Sequence, residues 1–223
     1  MKLPVKIKHE IDELIAILIE IGLSDDQNFT SIKNLDNEIT EVSYSPIARI
    51  SVALKKMAKY EKVYDQLNET RAYSLKLPDG ALIQMMYSFQ KNMISRHRLT
   101  FFPSPYLEKF QNEPEIYYDD EIFAEVLKKS VVPFPIRFDY DNRDEIFKEL
   151  EHPKSHLTLG QYTNCRIPVS APLTPSIFID FIIRNFYNTI IYRFTDKIRP
   201  GKIRFSESIV GNEKSVIYMQ LPV

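Results

Sequence analysis

A single cysteine, Cys165, in 223 residues excludes an internal disulfide and any metal centre built on several thiolates. It fits a reducing compartment, and cytoplasmic residence is the expectation. No charge of one sign dominates: 29 Lys and Arg stand against 30 Asp and Glu, a net charge of −1. Nothing therefore draws the whole chain to nucleic acid or an anionic membrane, and any basic binding surface has to be local. A bilayer-spanning apolar run is missing too. The most apolar stretch, residues 176–194, carries Asp180, Arg184, Asn185 and Asn188, each costly in lipid, and reads as a buried helix. The first residues hold the lysines of a secretory leader, but Asp12, Glu13 and Glu20 break the apolar stretch in a helical pattern, so a helix is expected there instead. There is no repeat or low-complexity tract. One domain over 1–223 is expected, helical in 1–70 and sheet-containing in 71–223, with 44% hydrophobic residues to fill its core.

What is present divides by period. Ile11, Leu14, Ile15, Leu18 and Ile21 recur at helical steps and stop before Gly22, predicting a first helix. Ser45-Pro46 supplies a cap and first-turn proline for a second helix to about Asn68, with Lys55, Lys56, Lys59 and Lys62 on its basic flank. The polar stretch between them, "SDDQNFTSIKNLDNEITEVSY", has little periodicity. From residue 73 the period becomes two. "YSLKL", "ALIQMMYSFQ" and "MISRHRLTFF", joined through Pro-Asp-Gly and Lys-Asn, predict a three-stranded antiparallel meander. Its third strand is expected to set Met93, Ser95, His97, Leu99 and Phe101 on one face, and Arg96, Arg98 and Thr100 on the other. Those arginines suit a solvated face or a phosphate backbone. A helix near 119–130, a strand "FPIRFDYD", a short helix "NRDEIFKELEH" ended by Pro153, two strands in "HLTLGQY" and "CRIPV", the apolar helix opened by Thr174-Pro175, and a hairpin about Gly211 complete the prediction. The class is α+β: an antiparallel sheet with N-terminal helices and one long buried C-terminal helix packed on it, all on one face.

The block "PFPIRFDYD", followed by "HPKSHLTLGQYTNCRIPVSAPLTPSIFIDFIIRNFYN", resembles the signature of an uncharacterised bacterial family, domain of unknown function twenty-two ninety. The resemblance is carried best by residues 101–190. It implies bacterial origin and intracellular residence, and brings no established activity. A looser likeness, Arg137-x-Asp139 on a strand followed by His152-Pro153 and His156, is to small bacterial toxin proteins.

Three chemistries suit the segment 151–175. His152 and His156 are four apart, a spacing that pairs metal ligands on a helix, but Pro153 ends the preceding helix and no Glu follows His152 in the zincin manner. Cys165 is near both histidines, yet its alternation with Ile167 and Val169 predicts a buried, inert thiol. Metal-independent phosphodiester cleavage is the reading that uses most of the residues. His152 and His156 would transfer protons, Arg137 and Arg166 would hold phosphate, and Asp139 would orient a histidine. Thr158, Gln161 and Asn164 would bind the substrate. No metal or cofactor is expected, and the function so read is an RNase-like effector of a toxin or defence type. The competing class is a non-catalytic module whose sheet face binds nucleic acid or a partner protein, with Phe101, Phe102, Tyr117 and Tyr118 available for stacking. In the plainest reading the two histidines tie down a proline-rich turn.

Overall fold

A computed structural model describes residues 1–35, 38–44, 59–106, 134–162, 164–187, 201 and 203–222. The first helix, α1 (Leu3–Glu20), has Pro4 in its first turn and buries Ile7, Ile11, Leu14, Ile15 and Leu18. Gly22 ends it at φ 76°, a left-handed conformation that glycine adopts without strain. The Gly22 N–H then donates to the Ile19 carbonyl and the Leu23 N–H to that of Leu18, which closes the helix in a Schellman motif.

Nine antiparallel strands follow in one sheet: β1 (Asp26–Gln27), β2 (Thr30–Asn34), β3 (Ile39–Tyr44), β4 (Leu75–Lys76), β5 (Leu82–Gln90), β6 (Met93–Phe102), β7 (Ile136–Asp141), β8 (Ser155–Leu159) and β9 (Ile167–Pro168). The order from β4 to β9 is sequential. β5 is long enough to share one edge between two partners, pairing with β4 through Leu82 and Ile83 and with β3 through Tyr87 to Gln90. Lys91 and Asn92, both at positive φ, form the two-residue turn into β6.

The apolar face carries Ile83, Met85, Tyr87 and Phe89 of β5, Leu99 and Phe101 of β6, and Ile136 and Phe138 of β7. It is covered by α1 and by α3 (Pro175–Phe186), which the Thr174 hydroxyl caps by accepting from the Ile177 N–H at 3.4 Å. Glu10 of α1 accepts the Ser176 N–H at 3.0 Å, fixing the two helices together. The helix α2 (Tyr60–Glu69) lies on the opposite face. Its Val63, Tyr64 and Leu67 pack with Leu82 and Phe102, the strand neighbours of Ile83 and Phe101. No helix among the described residues is long and apolar enough to cross a membrane.

Several sequence expectations are corrected. The stretch 26–44 holds three strands, so the first seventy residues are not purely helical. Their edge pairing is supplied by β5 and β4, which outweighs their own lack of apolar periodicity. The helices do not share one face, as α2 demonstrates. A bulge shifts the β6 register at Ser88/Phe89, so Met93 points to solvent while Ile94 packs on the core. The segment 142–152 forms turns, with Leu150 at φ 65°, instead of a helix. An eleven-residue helix would advance ~16 Å, too far for a connection that returns β7 directly to its neighbour β8. Among the described residues 203–222 there is no hairpin: Met219 bridges Val169, and its N–H donates to the Pro168 carbonyl at 2.9 Å, extending the sheet edge. Phe101 and Phe102 are buried and offer no stacking surface. The second helix begins at Tyr60, after an extended Lys59, instead of running unbroken from Ser45; Ser45 itself, the helix near 119–130, residues 188–194, Tyr117 and Tyr118 lie outside the described residues.

Candidate functional site

Strand alternation and antiparallel register decide what stands on the second face, where three cross-strand rows run side by side. One is Gln84–Thr100–Arg137–Thr158, the next Met86–Arg98–Asp139–His156–Pro168, and the third Glu41–Ser88–Arg96–Asp141. Much of this face is open. Ser43, Arg96, Arg98, Arg137, Asp139 and His156 line a cleft of about 540 Å³, with Arg143 and His152 entering from the β7–β8 connection and Arg166 from just before β9.

Asp139 occupies the middle of this surface. Its Oδ1 accepts from Arg98 Nε at 2.9 Å. Its Oδ2 lies 2.5 Å from Arg137 Nε, a charge contact in which the N–H does not point at the oxygen, so that Nε has no hydrogen-bond partner. Burial would raise the Asp139 carboxyl, but the Arg98 and Arg137 guanidiniums outweigh it and hold the group below the usual carboxylate range. In the neighbouring row Asp141 receives Arg143 as a fork, at 2.9 Å from Nε and 2.7 Å from Nη2. Burial opposes ionisation of Asp141 as well, and the Arg143 hydrogen bonds keep its carboxyl low.

His156 is the most enclosed of these side chains, with 4% of its side chain exposed against 41% for Arg98. Its Nδ1 is 2.9 Å from the Pro153 carbonyl. A carbonyl only accepts, so Nδ1 carries the proton and donates, and Nε2 presents a lone pair. Asp139 Oδ2 is 3.8 Å from that Nε2, outside hydrogen-bond range. Burial lowers the His156 imidazole to about 4, even though Asp139 and the Pro153 carbonyl pull the other way. The His152 ring stands 5.0 Å from that of His156, centroid to centroid, and is also lowered, first by burial and then by the Arg166 charge. Burial thus favours the neutral form of both imidazoles.

The charge of the cleft departs from that of the chain. Among the described residues, five arginines line it and no lysine does. Against Glu41, Asp139 and Asp141 this leaves a surplus of two positive charges, carried wholly by groups that bind oxyanions through paired N–H donors.

Of the residues singled out from the sequence, Arg137, Asp139, His152, His156 and Arg166 all line this cleft. Thr158 is next to Arg137 in register but buried, and its hydroxyl has no partner. Gln161 and Asn164 are exposed beyond the end of β8 and do not line the cleft. Cys165 is half-buried, not fully buried, and lies outside the lining. His97 belongs to the core face: its Nε2 accepts the Leu173 N–H at 3.0 Å and its ring packs between Tyr87 and Tyr140. Among the described residues no group of three or more His, Cys, Asp or Glu is placed to hold a metal ion. Arg96 and Arg98, which suited a solvated face or a phosphate backbone, also line the cleft, together with Asp141 and Arg143, which had not been singled out. The signal for them was the match between alternating arginines at 96 and 98 and alternating aspartates at 139 and 141, which acquires meaning only once β6 and β7 are paired.

Comparison with known proteins places this geometry in a family. The model of the uncharacterized conserved protein family DUF2290 matches residues 23–221, and the chain belongs to that family. The match begins just after α1 and takes in every strand and every residue lining the cleft. No curated protein and no solved structure matches the chain.

Proposed function

We propose that this member of the DUF2290 family binds a phosphate-bearing ligand, nucleic acid being the class that best fits, and cleaves its phosphodiester bond without a metal. The observation that carries the reading is the pairing of two histidine rings 5.0 Å apart with an arginine-rich cleft floor. His156 Nε2, with its lone pair toward the cleft, takes the proton of the attacking hydroxyl or water. His152, protonated, supplies a proton to the leaving oxygen. Arg137 and Arg166 offset the charge that builds on the phosphoryl oxygens. The defence or toxin setting remains part of this proposal and has the sequence likeness alone behind it.

A test is the cleavage of a single-stranded RNA and of a single-stranded DNA with chelator present throughout. Wild type should form product. His156→Ala should lose about 10²–10⁴-fold in rate, the usual contribution of a positioned acid or base, while melting close to wild type. The pH profile of kcat/KM sharpens the assignment. The base works unprotonated, above about pH 4, and the acid works protonated, below a value itself under the ordinary 6.5, so the optimum falls in the mildly acidic range. A product yield from His156→Ala equal to that of wild type removes the catalytic reading.

One observation favours binding without chemistry: both oxygens of Asp139 face arginines, so neither orients a histidine. If wild type forms no product, Arg166→Ala should still weaken nucleic-acid association and reduce its salt slope by about one unit.

A further inference from the structure

Arg98 and Arg137 both stand with Nε against Asp139, on different oxygens of the one carboxylate: Arg98 in a hydrogen bond at 2.9 Å, Arg137 in a charge contact at 2.5 Å whose N–H is not aimed at the oxygen. A guanidinium anchored through Nε has its two Nη groups left for another acceptor, and no hydrogen bond from an Nη of either arginine is formed within the described residues. Both arginines line the cleft, and the carboxylate between them is only 14% exposed, so it holds them from beneath.

The surroundings add unmet polar capacity. Buried polar atoms in folded proteins are nearly always hydrogen-bonded. Here the Thr100 and Thr158 hydroxyls, which flank Arg137 in register on either side, are both buried without a partner, as is Arg137 Nε itself. A single cross-strand row thus holds three of the eight such atoms found among the described residues.

We infer that Arg98 and Arg137 form one phosphate clamp, preset by Asp139 as positioning residue, in which two oxygens of a tetrahedral phosphate group are each met by the Nη edge of one guanidinium. The inference rests on the reading above in taking phosphate as the group bound, and it adds Arg98 as a binding residue and a different task for Asp139. The clamp fits a terminal phosphate and an internal phosphodiester alike, since both present two free oxygens on one phosphorus.

The decisive variant is Asp139→Asn. It removes one negative charge and raises the positive surplus of the cleft from two to three. If charge alone attracts the ligand, inorganic phosphate should bind more tightly; if Asp139 presets the clamp, it should bind more weakly. Calorimetric titration of the full chain with inorganic phosphate should give saturable binding that weakens at least tenfold in Asp139→Asn. Arg98→Lys keeps the charge but not the planar fork, and should weaken at least tenfold as well. Lys214→Ala, on a surface pair with Glu207 remote in sequence, is the control. Should Asp139→Asn unfold, Arg98→Lys decides by itself. No saturable phosphate binding by wild type, tighter binding by a folded Asp139→Asn, or wild-type affinity in Arg98→Lys overturns the clamp. Competition by a 5′-phosphorylated oligonucleotide and its unphosphorylated twin separates the two sources: a difference between them assigns the terminal phosphate, and equality assigns the internal diester. Phosphate binding that is lost in Arg98→Lys, in a protein that cleaves nothing, keeps the clamp and ends the catalytic reading. Cleavage that persists with unchanged phosphate affinity in Arg98→Lys does the reverse.

Discussion

Two neighbouring residues of β7 live in opposite worlds. Phe138 meets the edges of Phe178 and Phe181 with ring centroids 6.1 Å and 5.3 Å away, while Asp139 sits between Arg98 and Arg137 on the other side of the same strand. The backbone is common to both, and only the pleat separates them. One face gains its stability chiefly from apolar area removed from water and tolerates little loss of volume. The other holds charges that burial penalises, retained through mutual pairing, and costs far more to break singly than its pairs contribute together. Stability and binding are thereby assigned to different sides of one sheet.

The largest expected effect tests whether the faces separate. Phe178 of α3 is fully buried against Phe138, and Phe178→Ala should cost about 3–5 kcal/mol in chemical denaturation. Phe181 and Phe186, only partly buried, should cost less. If the faces are independent, whatever protein remains folded should bind phosphate as wild type does. Altered affinity in the folded fraction would mean that the core sets the clamp geometry.

A smaller effect joins the faces through pH. Burial lowers His97, on the core face, to about 3, and His156, on the cleft face, to about 4. Both are neutral in the folded chain, whereas the unfolded chain protonates them near 6.5. The stability they contribute is complete above about pH 6.5 and is lost as pH falls toward 4, by up to ~1.4 kcal/mol per pH unit for each group. Urea unfolding at pH 7, 5.5 and 4.5 should follow that decline, and His97→Gln should flatten it. An unchanged slope in that variant would remove His97 from the account.

The smallest effect lies away from both faces. Asp180 and Arg184 pair on the outer side of α3 through two hydrogen bonds, at 2.8 Å and 3.2 Å, with Arg184 more than half exposed. A double-mutant cycle should give a coupling of about 0.3–0.5 kcal/mol. A coupling several times larger would place the pair in a setting drier than its exposure indicates.

Much of the scaffold was legible in local chemistry. The stop of α1 at Gly22, the Lys91-Asn92 turn, the Thr174-Pro175 start of α3 and the alternation of β7 each depend on residues a few positions apart, and each is where the sequence puts it. The strands at 26–44 were not legible, because their neighbours in β4 and β5 supply what their own side chains lack. Nor was the bulge in β6, which reverses Met93 and Ile94 without any proline or glycine to announce it.

The site divides along the same line. That Arg137 and Asp139 share a face follows from the period of a strand, and that His156 and Pro153 share a turn follows from their spacing. That Arg98 grips Asp139 from 41 residues away, and that His156 stands opposite Asp139 instead of one residue to either side, follows from register between strands. A slip of one residue would carry every one of these charges to the apolar face. The sequence by itself determined which groups could meet, because pleating and turn chemistry are local; the tertiary structure decided which ones do, because register is set by the burial of the whole opposite face.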